Sequence, residues 1–104
     1  MTRFGFKMKL KPGCREEYIR RHQAIWPELA ELIKKGGVSD YSIFLDAETN
    51  ILFGVQKVSG AQSSQEMGIH PVVARWWDYM KDLMETNPDH SPVTIPLEEV
   101  FYLE

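Results

Sequence analysis

The sequence predicts an α+β fold with the element order βαββαβ, and three features of its 104 residues carry that prediction. Phe4, Phe6, Met8 and Leu10 put an apolar side chain at every second position, the period of a strand with one buried face. Two longer stretches, Arg15 to Lys35 and Pro71 to Met84, repeat their apolar residues at the helical period instead. Between them, Tyr41 to Leu45 and Ile51 to Val58 are strand-like runs parted by the polar Asp46 to Asn50, the spacing of an antiparallel hairpin.

Each element has its own start and stop. Pro12-Gly13 ends the first strand. In the helix that follows, Tyr18, His22, Ile25, Leu29, Leu32 and Ile33 fall on one face, while Arg15, Glu16, Arg20, Gln23, Glu31 and Lys34 lie largely elsewhere. Pro27 removes a backbone donor and crowds the carbonyl of Gln23, so a kink or break is expected at Trp26-Pro27. Gly36-Gly37 closes the helix in the left-handed manner. A polar stretch, Ser59 to Gln65, leads to the second helical region, which Pro71 opens from a first-turn position. There Val73, Trp77, Met80 and Met84 share a stripe that Val72, Trp76 and Leu83 widen. Asn87 to Pro92 is expected as loop, and Leu97 to Leu103 as the last strand.

With right-handed crossovers this order folds most economically as a single ferredoxin-like sandwich over residues 1–104, both helices on one face of the sheet. The opposite face stays open, and a chain of this length has nothing left to cover it. A homodimer closing sheet against sheet is the expectation.

Charge and composition narrow the function. A net charge of −3 argues against nucleic-acid binding, which needs a concentrated basic surface. Lys7, Lys9 and Lys11 alternate as a solvated strand face would. The first residues, MTRFGFKMKLK, lack the apolar centre of a signal peptide, and no run approaches the roughly 20 apolar residues of a membrane span. Cys14 is the lone cysteine and has no disulfide partner, which suits a cytoplasmic protein. No phosphate-cradling glycine loop and no nucleophile elbow is present. His22, His70 and His90 lack ligand spacing, so no metal is expected. Glu16-Glu17 and Glu98-Glu99 are adjacent and point apart, which disfavours a paired acid and base.

Four aromatic positions and one histidine remain. His22 sits near the centre of an apolar helix face. Spacing alone leaves two roles open: a core histidine satisfied by one hydrogen bond, or a partly desolvated imidazole exchanging protons at a pocket floor. Tyr18, one turn earlier, can share the same ligand. Trp76 and Trp77 point about 100° apart, so one can pack in the core while the other walls a cavity. An aromatic wall with few charges suits the apolar C–H face of a pyranose, with hydroxyls bonded at the rim. Tyr41 offers a phenol for that rim, or is simply an edge-strand aromatic.

Taken together, Glu17 to Leu29 (EYIRRHQAIWPEL), Arg75 to Met80 (RWWDYM), Asn87 to Pro92 (NPDHSP) and Glu99 to Leu103 (EVFYL) resemble the L-rhamnose mutarotase family from end to end. Ser59 to Gly68 follows no motif of that family. The resemblance implies a dimeric α/β-barrel isomerase that equilibrates α- and β-L-rhamnopyranose without metal or organic cofactor. It further implies that His22 is the proton donor and that Tyr18, Tyr41, Trp76 and Trp77 bind the sugar. The reciprocal base is left open among Tyr18, a carboxylate and a water. Two rival functions share these features: a different small-pocket enzyme of the same barrel type, such as a monooxygenase or lactone-forming isomerase, and a non-catalytic sugar-binding module.

Overall fold

A computed structural model of the chain describes residues 2–60 and 63–104. Four strands, β1 (Thr2–Lys9), β2 (Val38–Asp46), β3 (Ile51–Val58) and β4 (Ile95–Leu97), form one antiparallel sheet in the order β2-β3-β1-β4. β3 inserts between β1 and β2 and pairs with both, from Thr2↔Val58 to Lys9↔Ile51 on one side and Val38↔Val58 to Asp46↔Ile51 on the other. This is the split βαβ of a ferredoxin-like fold, as the order of elements predicts. Three helices, α1 (Arg15–Gln23), α2 (Pro27–Lys35) and α3 (Pro71–Met80), accompany it, with a 3-10 turn at Ser64–Glu66.

The alternation in β1 does what its period requires. Phe6, Met8 and Leu10 are buried, and from β3 Leu52, Gly54, Gln56 and Val58 face the same way. Gly54 is there because the Phe6 ring fills the space that a Cβ would need. Leu29 from α2 and Val73, Trp76, Trp77 and Met80 from α3 complete this core.

Proline breaks the first helical stretch rather than bending it. α1 ends at Gln23, and Trp26 takes an extended conformation (φ −61°, ψ 127°) as the residue that precedes α2, with Pro27 in its first turn. Three boundaries differ from the sequence-based expectation. α3 stops at Met80 instead of Met84, because the following backbone is captured by the end of β1: Lys11 N–H donates to the Leu83 carbonyl at 2.8 Å and Glu85 N–H to the Lys9 carbonyl at 3.0 Å. β2 begins at Val38 rather than Tyr41, with an irregularity between Ser39 and Ser42 where Asp40 adopts φ 47°. The last strand is Ile95–Leu97, not Leu97 to Leu103. Beyond Leu97 the chain keeps company with β1 through side chains instead of a ladder, Arg3 reaching Glu99 at 3.4 Å and lying over the Tyr102 ring at 3.9 Å. Of the polar stretch Ser59 to Gln65, residues 61–62 lie outside the described residues.

The sheet face away from the helices carries Phe44, Phe53, Val55, Ile95 and Leu97. Phe44 is 62% exposed, and Val100, Phe101 and Leu103 of the C-terminal segment are exposed as well. No helix among the described residues is long and apolar enough to cross a membrane.

Candidate active site

Between the helices and the inner face of the sheet lies a cavity of about 740 Å³, within the range of small-molecule sites. α1 contributes Tyr18 and His22, α3 contributes Trp76 and Trp77, and β2 contributes Tyr41. The structure thus brings all five sequence-derived candidates to one cavity.

His22 follows Tyr18 by one helical turn, and the two rings stack at 4.3 Å between centroids, 28° apart. Trp76 meets the imidazole edge-on at 5.4 Å. His22 Nδ1 lies 3.1 Å from the Tyr18 carbonyl oxygen. A carbonyl only accepts, so Nδ1 carries the hydrogen and the neutral ring keeps its lone pair on Nε2. Burial lowers the His22 pKa, and the bond to the Tyr18 carbonyl opposes that shift without cancelling it. The imidazole is therefore neutral near pH 7, with a basic nitrogen available to the cavity.

An arginine clamp holds this helix in place against α3. Arg21 donates to the Tyr79 carbonyl at 2.6 Å and to both carboxylate oxygens of Asp82 at 2.9 and 3.2 Å, while its guanidinium lies 4.4 Å from the Tyr79 ring centre. Glu17 is bonded to Arg20 and Arg21, which hold its carboxyl down at about 2. It serves this clamp and is not an acid for the cavity.

Both tryptophans are buried and both line the cavity, so the division into one core and one wall residue does not apply. Trp76 belongs to an aromatic cluster with Trp26 (5.1 Å, edge-on) and Tyr79 (5.7 Å). Trp26 owes its place there to the break before Pro27. Trp77 lies against Gly68, where a Cβ would run into its ring. Tyr18 and Tyr41 both have phenol pKa values raised by burial, and each hydroxyl stays protonated at neutral pH.

Several residues of the site were not among the sequence-derived candidates. Gln65 donates from Nε2 to the Tyr41 hydroxyl oxygen at 3.3 Å, and Ser64 lies beside it on the cavity wall. The signal for that turn is Ser63-Ser64-Gln65-Glu66, a capping box that the structure forms. His90, expected only as loop, lines the cavity, with φ 70° and its Nδ1 3.0 Å from Asp78. His70 immediately precedes α3 and is exposed. Among the described residues, no three His, Cys, Asp or Glu side chains are grouped to hold a metal ion.

A family model described as L-rhamnose mutarotase matches residues 3–103. An L-rhamnose mutarotase of Phocaeicola vulgatus is 61% identical over the whole of both chains, and one of Bacteroides thetaiotaomicron 60% identical, again over both full lengths. The crystal structure of an L-rhamnose mutarotase from Formosa agariphila superposes with a TM-score of 0.93 at 54% identity, covering both chains completely. The fold and the full-length sequence match together establish that this chain belongs to the L-rhamnose mutarotase family.

Proposed function

We propose that this chain is an isomerase that interconverts the α and β anomers of L-rhamnose by opening and reclosing the pyranose ring, with His22 moving the proton. The observation that carries the assignment is His22 itself, a neutral imidazole whose Nδ1 is tied to a backbone carbonyl and whose Nε2 is left to an aromatic-walled cavity. The apolar face of the sugar lies against Trp76 and Trp77, and the Tyr18 and Tyr41 hydroxyls meet its polar edge.

The chemistry then balances around one group. Nε2 takes the proton of the anomeric hydroxyl as C1–O1 becomes a carbonyl and the bond from C1 to the ring oxygen breaks. The resulting imidazolium returns that proton to the former ring oxygen, which becomes a hydroxyl. Both oxygens are attached to C1 in the closed sugar, so one nitrogen can serve both. Rotation about C1–C2 and the reverse sequence give the other anomer. Proton transfer of this kind supplies roughly 10²–10⁴-fold, and positioning the sugar supplies more. Saturation-transfer NMR across a panel of 6-deoxy and ordinary hexoses tests the assignment. Catalysed exchange of L-rhamnose is expected, and uncatalysed exchange with intact binding would make the chain a sugar-binding module instead.

The working form in this proposal is a homodimer closed by the open sheet face. Its support is the apolar surface of Phe44, Ile95 and Leu97, which the described chain leaves 62%, 49% and 41% exposed.

A further inference from the structure

We propose that Gln65 is a positioning residue for the reaction: seated by Gln56 through Ser64, it fixes the Tyr41 hydroxyl as a hydrogen-bond donor toward the sugar. This rests on the proposal above that Tyr41 touches the substrate, and it adds what sets the direction of that contact.

The chain of bonds begins in the core. Gln56 faces inward from β3 with no solvent exposure, where an unpaired amide would be costly. Its Oε1 accepts from the Ser64 N–H at 2.9 Å, and its Nε2 donates to Ser64 Oγ at 2.8 Å. A backbone N–H can only donate, so this pair of bonds fixes which end of the Gln56 amide is which. The same turn is locked from its other side, since Glu66 Oε1 accepts from Ser63 N–H at 3.1 Å and from Ser63 Oγ at 3.0 Å.

Gln65 is held between these anchors. Its Nε2 donates to Ser64 Oγ at 3.0 Å and to the Tyr41 hydroxyl oxygen at 3.3 Å, while its Oε1 lies 3.2 Å from Thr94 Oγ1, whose single hydrogen is shared with the Pro92 carbonyl at 3.0 Å. Tyr41 stands on β2, so these side-chain bonds are what connect it to the turn. With the Gln65 amide in this orientation the Tyr41 oxygen accepts from Gln65, and its own hydrogen is free for another acceptor. The cavity both residues line is where that acceptor lies when sugar is bound. A phenol held this way selects a lone pair on the ligand, which a hydroxyl free to rotate would not.

The test compares Gln65→Met and Gln65→Glu, each alone and combined with Tyr41→Phe, by KM and kcat for anomer exchange of L-rhamnose. Methionine keeps the length and removes the donor. Glutamate keeps the shape but only accepts, so it draws the Tyr41 proton away from the cavity. Each single variant is expected to raise KM about three- to tenfold, the worth of one hydrogen bond, with a smaller change in kcat. Neither should add a loss to Tyr41→Phe. A space-filling role predicts that Gln65→Glu stays at the wild-type KM, and that result overturns the proposal. So does a Gln65→Met penalty of equal size with and without the Tyr41 hydroxyl. If Tyr41→Phe is impaired and the Gln65 variants are not, Tyr41 keeps its role and only the positioning proposal fails. If Tyr41→Phe itself binds as wild type, the substrate role of Tyr41 is wrong and this proposal falls with it.

Discussion

The Nδ1 of His22 lies 3.1 Å from the carbonyl oxygen of Tyr18, one turn before it on the same helix. That single distance orients the ring, selects its tautomer and leaves the other nitrogen to the cavity. Three of the expectations below follow from it or from the walls around it.

Replacing His22 by Gln should leave the fold intact, because the side chain is only partly buried and the core around Phe6 and Leu29 is untouched. Anomer exchange should slow by ~10²–10⁴-fold, the usual worth of a positioned acid–base group. Saturation-transfer NMR on the variant at saturating sugar measures this directly. An exchange rate equal to that of the wild type would remove His22 from the chemistry.

The pH dependence follows from the direction of the His22 shift. Burial lowers its pKa below the ordinary 6.5 that it regains on unfolding. Between those two values the unfolded chain binds a proton and the folded chain does not. Stability should therefore decline as pH falls through 6.5, levelling off below the folded value. Activity requires the neutral ring, so kcat/KM should stay flat as pH drops past 6.5 and decline only lower. Denaturant unfolding from about pH 8 to about pH 5 should show the first slope, and the slope should shrink in His22→Gln.

Gly68→Ala probes the Trp77 wall of the cavity. The added methyl meets the six-membered part of the Trp77 indole, so the ring or the turn must move. Overpacking of this kind costs ~1–3 kcal/mol, and KM should rise because Trp77 is displaced from the cavity. Thermal unfolding together with KM checks both parts. A variant with unchanged melting and unchanged KM would show that this wall yields freely.

The open sheet face makes a separate prediction about assembly. Phe44→Glu puts a charge into the exposed apolar surface, where Phe44 stands opposite Phe53 on the neighbouring strand. In a sheet-to-sheet dimer that charge is desolvated, so the variant should sediment as a monomer at micromolar concentration where the wild type is a dimer. A wild-type chain that is already monomeric would end the sheet-to-sheet arrangement.

Much of the scaffold could be read from local chemistry. The alternation of Phe4, Phe6 and Met8, the helical spacing of Tyr18 and His22, and the prolines at 27 and 71 each act within a few residues of themselves. The boundaries that moved depend on distant partners. Met84 continues a helical stripe, yet it bridges to Leu10 across the fold, and no local pattern marks that. Val100, Phe101 and Leu103 have a strand-like composition, yet they meet no neighbouring strand in this chain. The site divides in the same way. Residue type and spacing made His22, Tyr18, Tyr41, Trp76 and Trp77 eligible and the family resemblance gave them roles, whereas Gln65 matters through bonds to β2 and, by way of Ser64, to β3. Its signs in the sequence are the capping box Ser63 to Glu66 and Gln56, an amide at a position where the alternation of β3 calls for an apolar residue.

The position of β1 inside the sheet has a consequence for biosynthesis. The first strand to leave the ribosome is flanked by β3 and β4, paired from Thr2↔Val58 on one side and at Gly5↔Leu97 on the other. Its pairing cannot be completed until Ile95–Leu97 is available. Strands β1, β2 and β3 can pair once Val58 is available, but the edge strand β4 joins β1 only through a contact that spans about ninety residues. Completing the sheet should thus be limited by closure of the long loop between β1 and β4. Hydrogen exchange at Gly5 to Lys7 should be faster in a chain stalled before Ile95 than in one that includes Leu97.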